Sequence, residues 1–422
     1  MEQYDVVVIG GGPAGLAAAL SSNEMGAKTL IVEREARVGG ILKQCIHDGF
    51  GIIKFKERLT GPEYAERYIK MVEENNISIV TSVFVVNIER NENNFIISLV
   101  SGSKGLYKVS SSSIVLANGC RERSSRQVFI HGDRPAGILT AGTAQYFVNI
   151  KGYLPCKKCV ILGSGDIGLI MARRFVLEGG EVLGVYEAKP TPSGLTRNLV
   201  QCLKDYSIPL YLSKTINRII GYDRVEAVEI ISLDENMNPI AGTKEIIECD
   251  GVILSVGLIP ENEIAEKLGV KMDGRTKGPY VDQNLMTSVE GVFSCGNALH
   301  VNDLVDYVSE SGSIAGKSAA SYVKNKEKRE LNNICFKNEE FLYVVPQSFD
   351  ITSQNKKIVL YFRTKDIRKN TIVQIKYNNK IIYMKKYRNL RPPEMERIEV
   401  DIDNIEQILG KDIEVIMQEG IK

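Results

Sequence analysis

The chain has 422 residues, 44% hydrophobic and 25% charged, enough for about two or three domains with a real core. A net charge of +1 points to no nucleic-acid or acidic-membrane partner, and no apolar run approaches the length of a membrane span. Eight cysteines without a framework spacing fit a reducing cytoplasm, and only three histidines (His47, His131, His300) argue against a His-based metal site, so no metal is expected. The first strand starts at the N-terminus and leaves no room for a signal peptide.

Val6-Val7-Val8-Ile9 reads as a buried parallel strand. It breaks into Gly10-Gly11-Gly12-Pro13-Ala14-Gly15 and resumes as a helix from Leu16. Strand, glycine turn and helix are the setting in which G-x-G-x-x-G signifies dinucleotide binding. Gly10 permits the tight turn, Gly12 the approach of a pyrophosphate, and Gly15 close packing of helix on strand. The helix N-terminus supplies N–H groups for the phosphates. Thr29-Leu30-Ile31-Val32 is a second strand ending at Glu33, placed to accept from ribose hydroxyls, with Arg34 beside it. Gly39-Gly40-Ile41 suggests a further close approach of backbone to ligand. Cys45 and His47 follow. A helix is expected over 61–74, then strands near 77–88, 95–100 and 105–110 as a small meander. Ser113–Ala117 is another buried strand, ending at Asn118-Gly119, and the basic stretch Arg121, Arg123, Arg126 marks a crossing to a second domain.

Cys159–Leu162, Gly163-Ser164-Gly165-Asp166-Ile167-Gly168 and the helix beyond repeat the opening, and Val182–Tyr186 again ends in an acid, Glu187. The duplication argues for two dinucleotides. A carboxylate at Glu187 accepts from a free 2′-OH and repels a 2′-phosphate, so the second site favours NAD(H) over NADP(H), with Lys189 and Arg197 close in sequence. Short strands fill 210–247. Gly251–Leu254 with Val256-Gly257 and Pro260 reads as the return crossing. Val292–Ser294 leads to Gly296-Asn297, and a helix follows whose start near Leu304-Val305 can aim N–H groups at an electron-rich ligand atom. Residues 324–330 read as a charged, solvated linker. Beyond it, strands at 341–347, 357–363, 371–377, 380–387, 395–402 and 412–417, with a turn at Asn378-Asn379, suggest a small β-sandwich.

These motifs resemble the two-dinucleotide-binding-domain flavoproteins, or pyridine nucleotide–disulfide oxidoreductases, over residues 1 to about 325. The resemblance implies an α/β fold of two Rossmann-like domains, the NAD domain inserted in the FAD domain, plus a C-terminal all-β domain. The implied boundaries are 1–120 and 255–325 for the FAD domain, 121–254 for the NAD domain and 331–422 for the β domain. It implies that Gly10, Gly12, Pro13, Ala14, Gly15, Glu33, Arg34, Gly39, Gly40, Ile41, Val85, Ala117, Asn118 and Gly119 serve FAD. Gly296, Asn297, Leu304 and Val305 serve its flavin end, with Asn297 where the family has Asp. Gly163, Gly165, Asp166, Ile167, Glu187, Val256 and Gly257 serve the nicotinamide nucleotide. The family's redox cysteine pair is not in place: Cys45 stands alone after Gly39-Gly40, and Cys156-Lys157-Lys158-Cys159 runs straight into the second fingerprint. Gly39–His47 and the appended β domain are similar to flavoprotein subunits of bacterial glycerol-3-phosphate, opine or cyanide-forming dehydrogenases.

The resemblance implies hydride exchange between NAD(H) and FAD, two domains facing across a cleft, and electrons relayed to or from a partner dehydrogenase subunit or small acceptor. Two alternatives stay open. One is a stand-alone disulfide or oxygen reductase working through Cys45, with a lowered thiol pKa, and His47. The other is a flavin- and NAD-binding redox sensor or scaffold that assembles through the β domain. Either Cys45 and His47 are catalytic, or they shape the pocket. His300 is a weaker candidate for facing substrate, and Cys120, Cys202, Cys249, Cys295 and Cys335 read as core.

Overall fold

The structure, a computed structural model, describes residues 1–91, 94–326, 328–402 and 412–419. Two compact units emerge, 1–120 with 260–422, and 121–259.

The first unit is built on strand β1 (Glu2–Ile9), which leads into helix α1 (Pro13–Glu24) and strand β2 (Thr29–Val32). β1 is flanked by parallel neighbours, with Ile9 opposite Val32 of β2 and opposite Leu116 of β3 (Gly105–Leu116). Because both faces are covered, Val6, Val7 and Val8 are fully buried, as their unbroken β-branched run requires. Strands 95–101 and 83–90 continue the sheet as an antiparallel meander. β3 corrects one expectation: 105–110 and 113–117 are a single strand running to Leu116, not two segments. The serines between them read as a break, but Ser111 and Ser113 are buried and their hydroxyls donate to the carbonyls of Ser113 (2.6 Å) and Gly291 (3.0 Å). A locally satisfied hydroxyl is tolerated inside a sheet.

The inserted unit repeats the plan. Strand β4 (Lys158–Leu162) leads through helix α2 (Asp166–Leu177) to strand β5 (Glu181–Glu187). β4 lies between β5 and strand β6 (Gly251–Leu254), with Leu162 opposite Tyr186 and Leu254. Residues 255–259, expected with the returning FAD domain, cluster with this unit instead. Ser255 N donates to Leu162 O (2.7 Å), and Gly257 O accepts from Arg123 N (3.1 Å), so backbone bonding carries the unit past the end of β6.

The chain returns through a strand at 292–294, parallel to β3, and helix α3 (Val305–Lys324). α1 is buried on nearly all sides and meets α3 through small residues. A Cβ at Gly312 would lie 2.2 Å from Ala14 O, and one at Gly316 2.0 Å from Ala18 O. The C-terminal strands form a five-stranded and a three-stranded sheet around a shared core that includes Phe341, Phe349, Phe362, Val373 and Ile398. Tyr343 and Val345 join the core of the first unit, which is why 331–422 clusters with that unit rather than separately. Two further expectations change here. The linker at 324–330 is not wholly solvated: Arg329 is nearly buried and pairs with the buried Asp282 at 2.8 Å. Glu327 of that stretch lies outside the described residues. Cys335 is exposed and Cys120 half-buried, so neither is a core cysteine. Cys335 lies on an unpredicted strand, Leu331–Phe336, where alternation turns it away from buried Ile334.

Candidate functional site

Both fingerprints fold into the same cradle. Gly10 adopts φ +106° and Gly163 φ +95°. A Cβ at Gly10 would lie 2.4 Å from Ala117 O, and one at Gly163 2.1 Å from Ser255 O. Gly10 N donates to Val32 O (2.8 Å) and Gly163 N to Tyr186 O (2.7 Å). Gly15 and Gly168 close the helix onto the turn: a Cβ would come within 1.8 Å of Gly10 O and within 3.0 Å of Gly163 O. Gly12 and Gly165 are the N-caps of α1 and α2 and carry no capping side chain, and in the first turn of α2 Gly168 N donates to Ser255 Oγ at 3.1 Å. Uncapped N–H groups at a helix start form a ready anion site, so the residues present fit a pyrophosphate at each. In the first cradle Gly39 N donates to Gly11 O (2.7 Å), and Gly40 lies against Gly12 with Gly40 at φ +58°.

The acids are placed alike. Glu33 is buried and accepts from Gly11 N and Glu35 N, each at 2.7 Å. Glu187 is buried and accepts from Ser164 N (3.0 Å) and Lys189 N (3.1 Å). Glu187 is therefore turned toward its fingerprint. Arg34 forms an exposed pair with Glu261 (3.0 Å). Asp166, in the first turn of α2, is tied sideways to Leu195 N (2.9 Å) and Asn198 Nδ2 (2.6 Å). Lys189 and Arg197 are exposed.

At the other end of the first cradle, Asn118 Nδ2 donates to Glu261 O, and its Oδ1 is buried without a partner among the described residues. Gly119 adopts φ +75° and Gly257 φ +100°. Asn297 Oδ1 already accepts from Asn302 N (3.0 Å) and Nδ2 (3.3 Å), which engages the oxygen assigned to a ribityl hydroxyl. Leu304 is the partly exposed N-cap of α3, and Val305 begins that helix. Asp306 in its first turn accepts from Lys54 N (3.2 Å). Ile41 is exposed. Val85 packs on the sheet core, whereas it is Val83 whose N–H bonds Glu33 O (3.1 Å).

The reactive candidates look different in the fold. Burial pushes the Cys45 thiol up to about 12, and Sγ donates to Ile41 O (3.4 Å). A reactive thiolate needs the opposite shift. His47 packs its ring on Phe50 (5.0 Å). Cys156 and Cys159 are buried, and contact with Cys156 together with burial raises the Cys159 thiol. His300 is buried between Tyr343 and Tyr361, and desolvation lowers it to about 3. Among the described residues no cluster of three His, Cys, Asp or Glu is arranged to hold a metal ion. No helix among them is long and apolar enough to cross a membrane. Sequence reasoning passed over Ser164, Ser193, Ser255 and Gly312. A signal existed for one pair: Ser193-Gly194 stand six and seven residues beyond Glu187, as Gly39-Gly40 do beyond Glu33.

Two like cradles in one chain, the second inserted within the first, define a protein for two dinucleotides. The chain belongs to the pyridine nucleotide-disulphide oxidoreductase family, whose model matches residues 4–319. That places it among the oxidoreductases that use FAD and a pyridine nucleotide. It is 24% identical to hydrogen cyanide synthase subunit HcnB of Pseudomonas protegens over 335 residues, 74% of this chain and 67% of that one. It is likewise 24% identical to the first-lettered subunit of the opine oxidase of Agrobacterium tumefaciens over 344 residues, 75% of this chain and 64% of that one. The chain thus spans about two thirds of the length of these relatives. In fold it is similar to the T. acidophilum thioredoxin reductase, with a TM-score of 0.63, 24% identity, and coverage of 77% of this chain and 100% of the other. For Lactococcus lactis thioredoxin reductase the TM-score is 0.64 at 21% identity, covering 76% of this chain and 99% of the other.

Proposed function

We propose that the first cradle holds FAD, that the second holds NAD(H), and that the protein passes hydride equivalents between them. Its electrons then go to, or come from, a partner dehydrogenase subunit or a small acceptor. The observation that carries this reading is the duplicated cradle with an ionisable acid bonded to each fingerprint turn. FAD, when bound, supplies the two-electron chemistry. The chain's own contribution is positional. The helix starts at Gly12 and Gly165 present N–H groups to phosphates, Glu33 and Glu187 hold ribose hydroxyls, and the start of α3 places a helix N-terminus at the flavin end of the first cradle. Two relatives are named as parts of larger enzymes, one of a synthase and the other of an oxidase, which supports the relay to a partner.

A disulfide reductase working through Cys45 needs a lowered thiol, and here burial raises it. Its thiol is held protonated by burial, so we assign Cys45 to the pocket wall. Cofactor analysis of the purified protein, followed by stopped-flow reduction with NADH and with NADPH, tests the proposal. Bound FAD bleached by NADH supports it. A preparation that takes up no flavin, or flavin that NADH leaves oxidised, refutes it. Copurification from the native host tests the partner. A solitary protein fully active with its physiological acceptor refutes the relay.

A further inference from the structure

The two acid sites share a backbone plan and differ in two hydroxyls. Glu33 has Gly11 N on Oε2 and Glu35 N on Oε1. Glu187 has the matching pair, Ser164 N on Oε2 and Lys189 N on Oε1. It has in addition the hydroxyls of Ser164 (2.5 Å) and Ser193 (3.1 Å), both on Oε2. Where the second cradle has Ser164 and Ser193, the first has Gly11 and Gly39. The geometry is closed on itself. Ser164 Oγ accepts from Ser193 N at 2.8 Å, so its own proton is directed at Glu187. Gly194 completes the contact, since a Cβ there would lie 2.7 Å from Ser164 O.

We propose that Ser164 and Ser193 are positioning residues that hold the Glu187 carboxylate against the second fingerprint turn and thereby set the discrimination between NADH and NADPH. This rests on the reading of that cradle as the nicotinamide nucleotide site. A carboxylate offers about four acceptor positions. Three donors converge on Oε2, which leaves the open position on Oε1, beside Lys189 N. That suits one ribose hydroxyl. A 2′-phosphate brings a second anion to the same place, and an unrestrained glutamate relieves the repulsion by swinging away. Glu187 is restrained. Leaving its place strands the buried Ser164 N–H and hydroxyl and the part-buried Ser193 hydroxyl, and hydrogen bonds to a charged group are the strong ones. Among the described residues Glu33 has its two backbone bonds and no hydroxyl on either oxygen.

The test uses the full-length holoprotein as Ser164→Ala, Ser193→Ala, the double variant, Ser164→Thr and Glu187→Ala. Flavin reduction by NADH and NADPH is followed by stopped flow. In parallel, calorimetry measures binding of ADP-ribose and of its 2′-phosphate, which reports the site even where turnover is lost. Each alanine is expected to lower the NADH-to-NADPH ratio of kcat/KM about tenfold, through KM and not kcat, with the binding ratio falling in step. Ser164→Thr keeps the hydroxyl and keeps the ratio. If Glu187→Ala collapses the ratio while the serine variants retain it, the proposal is overturned and the site reading stands. If Glu187→Ala changes neither the kinetic nor the binding ratio, the site reading fails and the proposal with it.

Discussion

His300 sits in full burial between two tyrosine rings, and neither ring nitrogen has a well-formed hydrogen-bond partner among the described residues. Desolvation holds it down to about 3, so it stays neutral in the fold. The unfolded chain binds that proton near 6.5. As pH falls from about 6.5 toward 3, the unfolded state gains protons that the folded state refuses, and stability is lost across that window. Urea unfolding at about pH 7 and about pH 5 should show the wild type losing about 2 kcal/mol more than His300→Leu. Equal losses in the two proteins sink this account. Cys45→Ser should retain NADH-dependent dye reduction within about threefold, because a thiol raised by burial carries no thiolate to lose. Loss of turnover with flavin still bound would return Cys45 to the electron path. Both residues were visible in the sequence as reactive types. The burial of His300 was not, because it is supplied by segments far off in the chain, Tyr343 and Tyr361.

Helix α1 carries the N-terminus that we propose faces the phosphates, and α3 fixes α1. The contact is backbone on backbone, through Gly312 on Ala14 and Gly316 on Ala18. On an exposed helix, Gly→Ala stabilises by about 1 kcal/mol. Here the sign should reverse. Gly312→Ala and Gly316→Ala should each destabilise by about 1–3 kcal/mol, read as a lower thermal midpoint, and Gly312→Ala should release flavin, read as a lower visible-to-ultraviolet absorbance ratio. A raised midpoint in either variant would show that the helices have room. The strand–turn–helix units were legible as elements because strand runs and glycine spacings are local patterns. The partner of α1 was not legible, since the glycines of α3 acquire meaning only beside a particular alanine.

The C-terminal strands form their own core, yet the first unit depends on them. Arg329 neutralises Asp282, whose side chain has no exposed surface. Burial raises the Asp282 carboxyl, and the Arg329 guanidinium opposes that shift. Arg363 pairs with Asp303 just before α3, and Arg397 with Tyr361 grips Glu310 within it. Arg329→Ala should cost about 3–5 kcal/mol in urea unfolding, and pairing Arg329→Met with Asp282→Asn should recover most of it. A single variant as stable as the wild type would mean that Asp282 is solvated or neutral. On the same grounds, a chain ending before Arg329 should unfold more readily than the whole, because several carboxylates lose their cations.

What the sequence by itself determined is the pair of cradles: Gly10, Gly15, Gly163, Gly168, Glu33 and Glu187 are recognisable because tight turns and terminal acids impose fixed local spacings. Tertiary structure alone decided which polar groups are braced. Ser164 and Ser193 meet at Glu187, and Arg329 meets Asp282, only after distant segments are folded together. It also decided that burial raises the Cys45 thiol and keeps His300 neutral, because desolvation belongs to the packed interior and leaves no mark on residue order.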